Sequence, residues 1–345
     1  MKICHIIAYP GIGGSENYAL YLADAAKKDG HEVLFILGEK GPLELEIEKH
    51  GIESRIIPMS TSFNPFMVIG SVFKLKNCLS EEGIDIVHTH MLREHSVVIG
   101  AKLLGAKVKI IRSFHRLDNF DWKMKPLMWL YNWQTDSFIA TSDYIRSFMI
   151  AFGIKKGIIT TIYNGVPSVE TKNHEKTLGF IGRLAPEKGI CKFIRENLDE
   201  IKNGMKVVIA GDGPDRAEII AYAKQTNNIS YLGQISNRSL FFSEVSVLVL
   251  PSETEVLPLV ILEAFSAGVP VLVFEIEPLK ETITKDNGIL VAIDDYRGMA
   301  KVGRELLAKG SILARLSKGA QNSYQSNYTI DKMWNSTKEL YEKVL

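Results

Sequence analysis

Short continuous apolar runs alternate with helix-length amphipathic segments almost from end to end, and no other feature constrains the fold of this chain as strongly. Strand-length runs fall at 3–8, 32–37, 84–89, 108–114, 137–141 and 158–163. A second series falls at 178–182, 206–210, 229–232, 245–250, 271–274 and 289–291. Helical stretches such as 16–28 and 93–104 lie between them. Runs that are apolar throughout belong to strands covered on both faces, which is how parallel sheets in α/β units read. The spacing therefore predicts an α/β chain of doubly wound parallel sheets.

A chain of 345 residues exceeds one ordinary core and suits two domains of roughly 160 residues. The polar stretch 167–176, which contains Ser168-Val-Glu-Thr-Lys-Asn-His-Glu-Lys176, separates the two series. It divides the chain into Rossmann-like domains over residues 1–166 and 177–329. Residues 330–345 form an amphipathic helix whose apolar set is Met333, Trp334, Leu340, Tyr341 and Val344, a set that needs a surface to cover.

The net charge of +1 splits into +2 for residues 1–165 and −1 for the rest, which speaks against nucleic acid as a partner. The sparse cysteines Cys4, Cys78 and Cys191 have no metal-type spacing and suggest reduced thiols in a reducing compartment. There is no apolar run of the ~18–20 residues that a membrane span needs. The apolar start of the chain reads as a first strand rather than a signal peptide. The expected location is cytoplasmic, at most peripheral at the inner membrane face.

Open α/β sheets bind ligands beyond the carboxyl ends of their strands, and the residues with chemistry gather there. Glu255-Val-Leu-Pro-Leu-Val-Ile-Leu-Glu263 follows the run at 245–250. Pro258 suits the first turn of a helix that Gly268 and Pro270 end. The amides of Val256, Leu257 and Leu259 at that helix start could cradle a phosphate. Glu255 in the loop and Glu263 in the helix offer acceptors for sugar hydroxyls, the latter for a ribose diol. The alternatives are a turn residue and a structural salt bridge. Arg183 and Lys188 flank a loop from which both cations could reach one diphosphate; otherwise they are solvated surface charges. Gly13 and Gly14 open a second helix N-terminus. His115 ends the run at 108–114, where a histidine is either structural or a hydrogen-bonding group for substrate. His88 and His90 alternate along a strand and share one face. No third metal ligand is apparent in the sequence.

These segments resemble motifs of the retaining glycosyltransferases of family 4, in the family's order. Glu255 to Glu263 resembles its Glu-x7-Glu motif. Ile181-Gly-Arg183-Leu-Ala-Pro-Glu-Lys188-Gly189 and Val207-Val-Ile-Ala-Gly211-Asp-Gly213-Pro214 resemble its Gly-rich strand ends. Tyr163-Asn164-Gly165-Val166-Pro167 resembles its interdomain junction, and Pro10-Gly-Ile-Gly13-Gly14-Ser-Glu16 its N-terminal glycine loop. One departure is Val256, where the family usually has Gly or another small residue; a β-branched side chain resists positive φ.

The resemblance implies the GT-B fold, with two Rossmann-like domains facing across a cleft and the last helix crossing back to the first. It implies transfer from a UDP- or GDP-sugar to a hydroxyl on a carbohydrate or lipid-linked acceptor, in cell-surface polysaccharide or glycolipid synthesis. The catalytic set would be His115, Arg183, Lys188 and Glu255. Gly13, Gly14, Gly182, Gly211, Val256, Leu257, Leu259 and Glu263 would bind the donor, and the first domain the acceptor. No cofactor is implied beyond the nucleotide-diphosphate sugar as co-substrate, and no metal, since the Asp-x-Asp pair typical of metal-dependent GT-A enzymes is missing from the sequence. Rival readings are an epimerase or phosphorylase on the same scaffold, or a non-catalytic nucleotide-sugar-binding subunit.

Between Lys102 and Lys125 lie seven cations and two acids, Asp118 and Asp121. Trp129, Tyr131 and Trp133 follow. The stretch suits an anionic membrane surface or a lipid-diphosphate acceptor, or else a buried helix with a solvated flank.

Overall fold

The computed structural model describes residues 1–59, 65–115, 125–171 and 176–345. The chain forms two compact units. Unit 1 comprises Met1–Gly165 with Ile330–Leu345, and unit 2 comprises Val166–Thr329.

Unit 1 runs β1 (Lys2–Ile7), α1 (Gly14–Lys28), β2 (Glu32–Leu37), α2 (Pro42–Lys49), β3 (Glu53–Ile56), α3 (Pro65–Glu81), β4 (Ile86–Thr89), α4 (Leu92–Leu103), β5 (Lys109–Phe114), α5 (Lys125–Gln134), β6 (Ser137–Ala140), α6 (Asp143–Ala151) and β7 (Ile159–Thr161). All strands are parallel, in the order β3-β2-β1-β4-β5-β6-β7. The order reverses between β1 and β4, where His5 lies beside His88. The apolar runs became the buried strands because helices cover both sheet faces.

Two elements depart from the sequence pattern. β3 is a polar edge strand whose Arg55 pairs with Glu53 and Glu82. α2 carries Pro42 in its first turn and buries only Leu43 and Ile47. Short, charged elements at a sheet edge carry little apolar periodicity.

Unit 2 runs β8 (Leu178–Ile181), α7 (Ile190–Glu196), α8 (Leu198–Lys202), β9 (Val207–Ala210), α9 (Arg216–Ala223), β10 (Ile229–Tyr231), α10 (Arg238–Ser243), β11 (Val247–Leu250), α11 (Leu259–Ser266), β12 (Val271–Phe274), β13 (Gly288–Val291), α12 (Tyr296–Ala308) and α13 (Gly310–Asn327). Its parallel sheet has the order β10-β9-β8-β11-β12-β13, with the reversal between β8 and β11.

The last helix, α14 (Ile330–Val344), completes the core of unit 1. Met333, Trp334, Leu340 and Tyr341 pack with Tyr18, Leu22 and Ala26 of α1. Trp334 Nε1 donates to Asp29 Oδ2 at 3.0 Å, and Lys338 Nζ reaches the same oxygen at 2.8 Å. Among the described residues no helix is long and apolar enough to cross a membrane. Cys4, Cys78 and Cys191 are free and buried.

Candidate functional site

The reversal between β8 and β11 brings two loops of unit 2 together, which is where open sheets hold ligands. After β8 the chain passes Gly182 and Arg183 into a 3-10 turn over Pro186–Lys188 and then Gly189 at φ +70. A Cβ on Gly189 would stand 2.0 Å from the Pro251 carbonyl oxygen, so only glycine allows this approach to the loop after β11. The close pass puts Lys188 Nζ 2.5 Å from Glu255 Oε1. Beside it Lys192 Nζ lies 2.6 Å from Glu253 Oε1. Arg183 points outward, its side chain 69% exposed and 3.8 Å from Glu187, so its guanidinium is available for an anion.

Gly182 and Gly211, expected against the donor, first serve the backbone. Gly211 has φ +136, and a Cβ there would lie 1.8 Å from the Gly182 carbonyl oxygen. Leu184 N donates to Asp212 O at 2.9 Å, so the loops after β8 and β9 run main chain against main chain. A side chain at Gly211 would pry them apart.

Helix α11 starts one residue later than the sequence suggests. Pro258 is its N-cap, with φ −68 and ψ 131, rather than a residue of the first turn, and its carbonyl accepts from Ile261 N at 3.0 Å. The extended ψ turns the chain into the helix, and Pro has no N–H to lose there. Val256 does not need positive φ: among the described residues the one non-glycine in that region is Asp294. The departure at Val256 therefore places no strain on the loop. Leu257 and Leu259 are buried and anchor the helix start.

Glu263 lies on α11, 4% exposed, and Arg238 Nε of α10 meets its Oε2 at 3.1 Å. Burial raises the Glu263 pKa, and Arg238 partly offsets that rise. Sequence reasoning missed Arg238, because a partner supplied by another helix has no fixed spacing. A capped start at Asn237, whose Oδ1 accepts from Ser239 N and Leu240 N, was the available signal for α10.

In unit 1, Gly13 is the N-cap of α1 and Gly14 its first residue, with open space where a Gly14 Cβ would stand. His115 follows β5 and is half-buried. His90 Nδ1 lies 3.4 Å from His115 Nε2, and His90 Nε2 lies 3.1 Å from His5 Nδ1. His88 joins Ser113 Oγ at 2.8 Å and Tyr341 of α14 at 2.6 Å. The third histidine that the sequence did not suggest is thus His5, delivered by the parallel register of β1 on β4.

One nitrogen each from His5, His88 and His90 falls within 4.8 Å of the others. Several of these nitrogens, however, already serve hydrogen bonds: His5 Nδ1 faces His90 Nε2 at 3.1 Å, His90 Nδ1 faces His115 Nε2 at 3.4 Å, and Tyr341 and Ser113 hold the two nitrogens of His88. The trio is a hydrogen-bonded cluster more than a converging ligand set.

Nearby, Glu94 is fully buried, and its Oε1 accepts from His90 N at 3.2 Å and from Met91 N. Burial pushes its pKa up to about 7. Arg112, also buried, lies over the Phe114 ring at 4.2 Å, and burial lowers its pKa to about 10.

The basic stretch is less basic at the surface than its composition implies. Lys102 and Lys109 both pair with Asp136, at 2.7 and 3.4 Å, and Arg112 is in the core. A folded chain neutralises cations near carboxylates that sequence distance hides. Arg116, Asp118, Asp121 and Lys123 lie outside the described residues. On α5, Met128 and Tyr131 are buried, whereas Trp129 and Trp133 are 69% and 64% exposed, with ring centroids 5.7 Å apart.

Residues 12–169 match the family model described as Glycosyltransferase Family 4, and residues 175–309 that of Glycosyl transferases group 1. The chain is 24% identical to the UDP-Gal:alpha-D-GlcNAc-diphosphoundecaprenol alpha-1,3-galactosyltransferase of Escherichia coli, over 99% of this chain and 96% of the relative. It is 22% identical to the N-acetyl-alpha-D-glucosaminyl L-malate synthase of Bacillus anthracis, over 99% and 96%. The structure of Anabaena HepE in complex with UDP-glucose superposes with a TM-score of 0.86 at 18% identity, covering 99% of this chain and 100% of that one. Two doubly wound parallel sheets of the same strand order, matched over nearly their whole length by GT-B enzymes, leave one assignment: the chain belongs to glycosyltransferase family 4 and is a glycosyltransferase of GT-B fold.

Proposed function

We propose that this glycosyltransferase moves a sugar, with retention of anomeric configuration and without a metal ion or other cofactor, from a UDP- or GDP-sugar to a hydroxyl of a carbohydrate or lipid-linked acceptor. The observation that carries this reading is the 2.5 Å contact of Lys188 Nζ with Glu255 Oε1 at the strand-order reversal of unit 2. An ammonium has three donors, so Lys188 can keep Glu255 while reaching a phosphate oxygen. Arg183 supplies a second cation from the same loop. Negative charge grows on the diphosphate as the bond from the anomeric carbon to its oxygen breaks, so these cations favour the transition state over the ground state. The acceptor hydroxyl bonds to the anomeric carbon from the face the diphosphate leaves and passes its proton to the departing phosphate oxygen. No covalent sugar–carboxylate intermediate is required.

Glu255 would orient the donor sugar. Glu263, held by Arg238, would take the ribose diol, and the amides of Val256, Leu257 and Leu259 would face phosphate. In unit 1, Gly13, Gly14 and His115 would meet substrate, and that unit would carry the acceptor. A UDP-sugar is favoured by the name of the E. coli relative and by the UDP-glucose bound to HepE. The two relatives named above differ in acceptor, one named for a diphosphoundecaprenol and the other for L-malate. Both are anionic. Of these, the lipid-linked type suits a chain with an exposed tryptophan pair, which would rest at a membrane surface.

A thermal-shift panel of UDP-, GDP- and ADP-sugars tests the donor, because a ligand that binds the native state raises its stability by mass action. Transfer assayed after exhaustive EDTA treatment, with the product's anomeric configuration read by NMR, tests the chemistry. Conversion of UDP-sugar with no acceptor present would favour an epimerase instead.

A further inference from the structure

Three imidazoles of unit 1 form a hydrogen-bonded line that ends on His115. His5 Nδ1 lies 3.1 Å from His90 Nε2, and His90 Nδ1 lies 3.4 Å from His115 Nε2. The rings meet edge to edge and are near-parallel, with centroids 5.3 Å apart and planes at 17° for His5 with His90, then 5.7 Å and 21° for His90 with His115. The line starts in dry protein. His5 is fully buried against the Phe35 ring, and its Nε2 meets no hydrogen-bond partner. It ends at a half-buried residue.

Each ring is neutral, because burial lowers all three pKa values, to about 3 for His5 and His115. A neutral imidazole has one N–H and one lone pair, so each contact must join a donor to an acceptor. Two proton orders satisfy both contacts. In the first, His5 donates from Nδ1 to His90 Nε2, and His90 donates from Nδ1 to His115 Nε2. His115 then keeps its own proton on Nδ1. In the second, all three protons sit on Nε2, and His5 is left with a buried N–H that has no acceptor. Orphaned buried N–H groups are rarer than under-used acceptors, and their desolvation is uncompensated. The first order leaves only a lone pair without a partner.

We infer that His5 and His90 act as positioning residues that fix the tautomer of His115, so that it meets its substrate as an Nδ1–H donor. The inference rests on the reading of His115 as a substrate-contacting group. His88 braces the line from the side: its ring is 4.6 Å from that of His90, and Ser113 and Tyr341 hold its two nitrogens. A substrate oxygen facing His115 must then act as an acceptor, which suits a sugar hydroxyl that donates elsewhere or an oxygen gaining negative charge. A free histidine would present either nitrogen, and the encounters with the wrong tautomer would be mismatched.

The test is the nitrogen-15 spectrum of histidine-labelled protein, which distinguishes a protonated from a bare ring nitrogen. Nδ1–H at His5, His90 and His115 is expected. In His5→Phe, similar in shape, His90 loses its donor, and the His115 signals should move toward a mixture of tautomers. Turnover should fall about tenfold, the effect of losing one positioned hydrogen bond, with the donor KM unchanged. His5→Asn, whose amide can take the Nδ1 place, should restore most of the rate, which a purely structural role would not predict. An Nε2–H His115 in the unaltered protein, or a His115 spectrum indifferent to His5→Phe, overturns the inference. Should the protein transfer no sugar, the proposed function fails while the spectra still decide the tautomer.

Discussion

Arg238 Nε stands 3.1 Å from Glu263 Oε2 and ties the start of α10 to the buried carboxylate of α11. The pair means that a ribose diol would share Glu263 with a guanidinium already in place. Arg238 offsets part of the rise that burial gives the Glu263 pKa and holds the carboxylate aimed before any ligand arrives. Glu263→Ala should raise the donor KM about tenfold or more, the loss of hydrogen bonds to a charged group, and should lower kcat much less. Arg238→Ala should leave the carboxylate buried and alone, destabilising the fold by about 1–3 kcal/mol and raising KM as well. Steady-state kinetics beside chemical denaturation checks both, and a donor KM that Glu263→Ala leaves unaltered removes Glu263 from the donor site.

Lys188 and Glu255 should behave as a unit. Lys188→Ala is expected to lower kcat by about 100-fold or more, as for other groups that meet charge developing in the transition state. The double variant with Glu255→Ala should lose far less in total than the two single losses combined, because residues in contact are non-additive. The double-mutant cycle in kcat/KM measures this. Additive losses would show that the 2.5 Å contact has no part in turnover.

Glu94 should make stability depend on pH. Its carboxyl keeps a proton up to about pH 7 in the fold, against an ordinary value of 4.5, because burial disfavours the charge. Between those values the native state binds more protons than the unfolded state, so stability falls as pH rises. The total is on the order of 3 kcal/mol. Glu94→Gln keeps an oxygen for the backbone amides of His90 and Met91 and should flatten the curve between pH 4.5 and 7. Denaturation midpoints across that range provide the check; an equal slope in both proteins means that another group carries it.

Two glycines should separate packing from ligand approach. Gly211→Ala forces a Cβ to 1.8 Å from the Gly182 carbonyl at φ +136 and should cost about 2 kcal/mol or more. Gly14→Ala meets open space at a helix start and should leave stability equal or higher by about 0.5 kcal/mol. If substrate backbone contact is made at Gly14, the same change lowers kcat/KM. Full activity in a stable Gly14→Ala protein excludes that contact.

Trp129 and Trp133 offer membrane contact a basis other than charge, now that Lys102, Lys109 and Arg112 are committed within the fold. Replacing both tryptophans by Ala should weaken binding to neutral and anionic liposomes alike, with little dependence on salt, since apolar burial drives it. Sedimentation with vesicles measures this. Binding that survives the double change but collapses in salt would return the role to the lysines.

Most of the architecture was legible because twelve of the thirteen described strands coincide with apolar runs in the sequence. The polar β3 and the charged α2 escaped, since a sheet edge asks little of its side chains. Arg183, Lys188, Glu255 and Glu263 stood out through local spacing. Arg238, the partner of Glu263, and His5, the partner of His90, did not, because they reach their places through helix placement and strand register, which no short window contains. The pairing of Lys102 and Lys109 was hidden for the same reason, as Asp136 is distant in sequence from the lysines that it neutralises.

The order of synthesis gives α14 a further consequence. Met333, Trp334, Leu340 and Tyr341 belong to the core of unit 1, yet the ribosome makes them after all of unit 2. Until they emerge, Tyr18, Leu22 and Ala26 lack their cover, Asp29 lacks the indole and ammonium that bind it, and His88 lacks the Tyr341 hydroxyl. Domains generally fold in the order in which they are made. Here the unit begun first is finished last, and a nascent chain stalled before residue 330 would hold a folded unit 2 beside a unit 1 still open along α1.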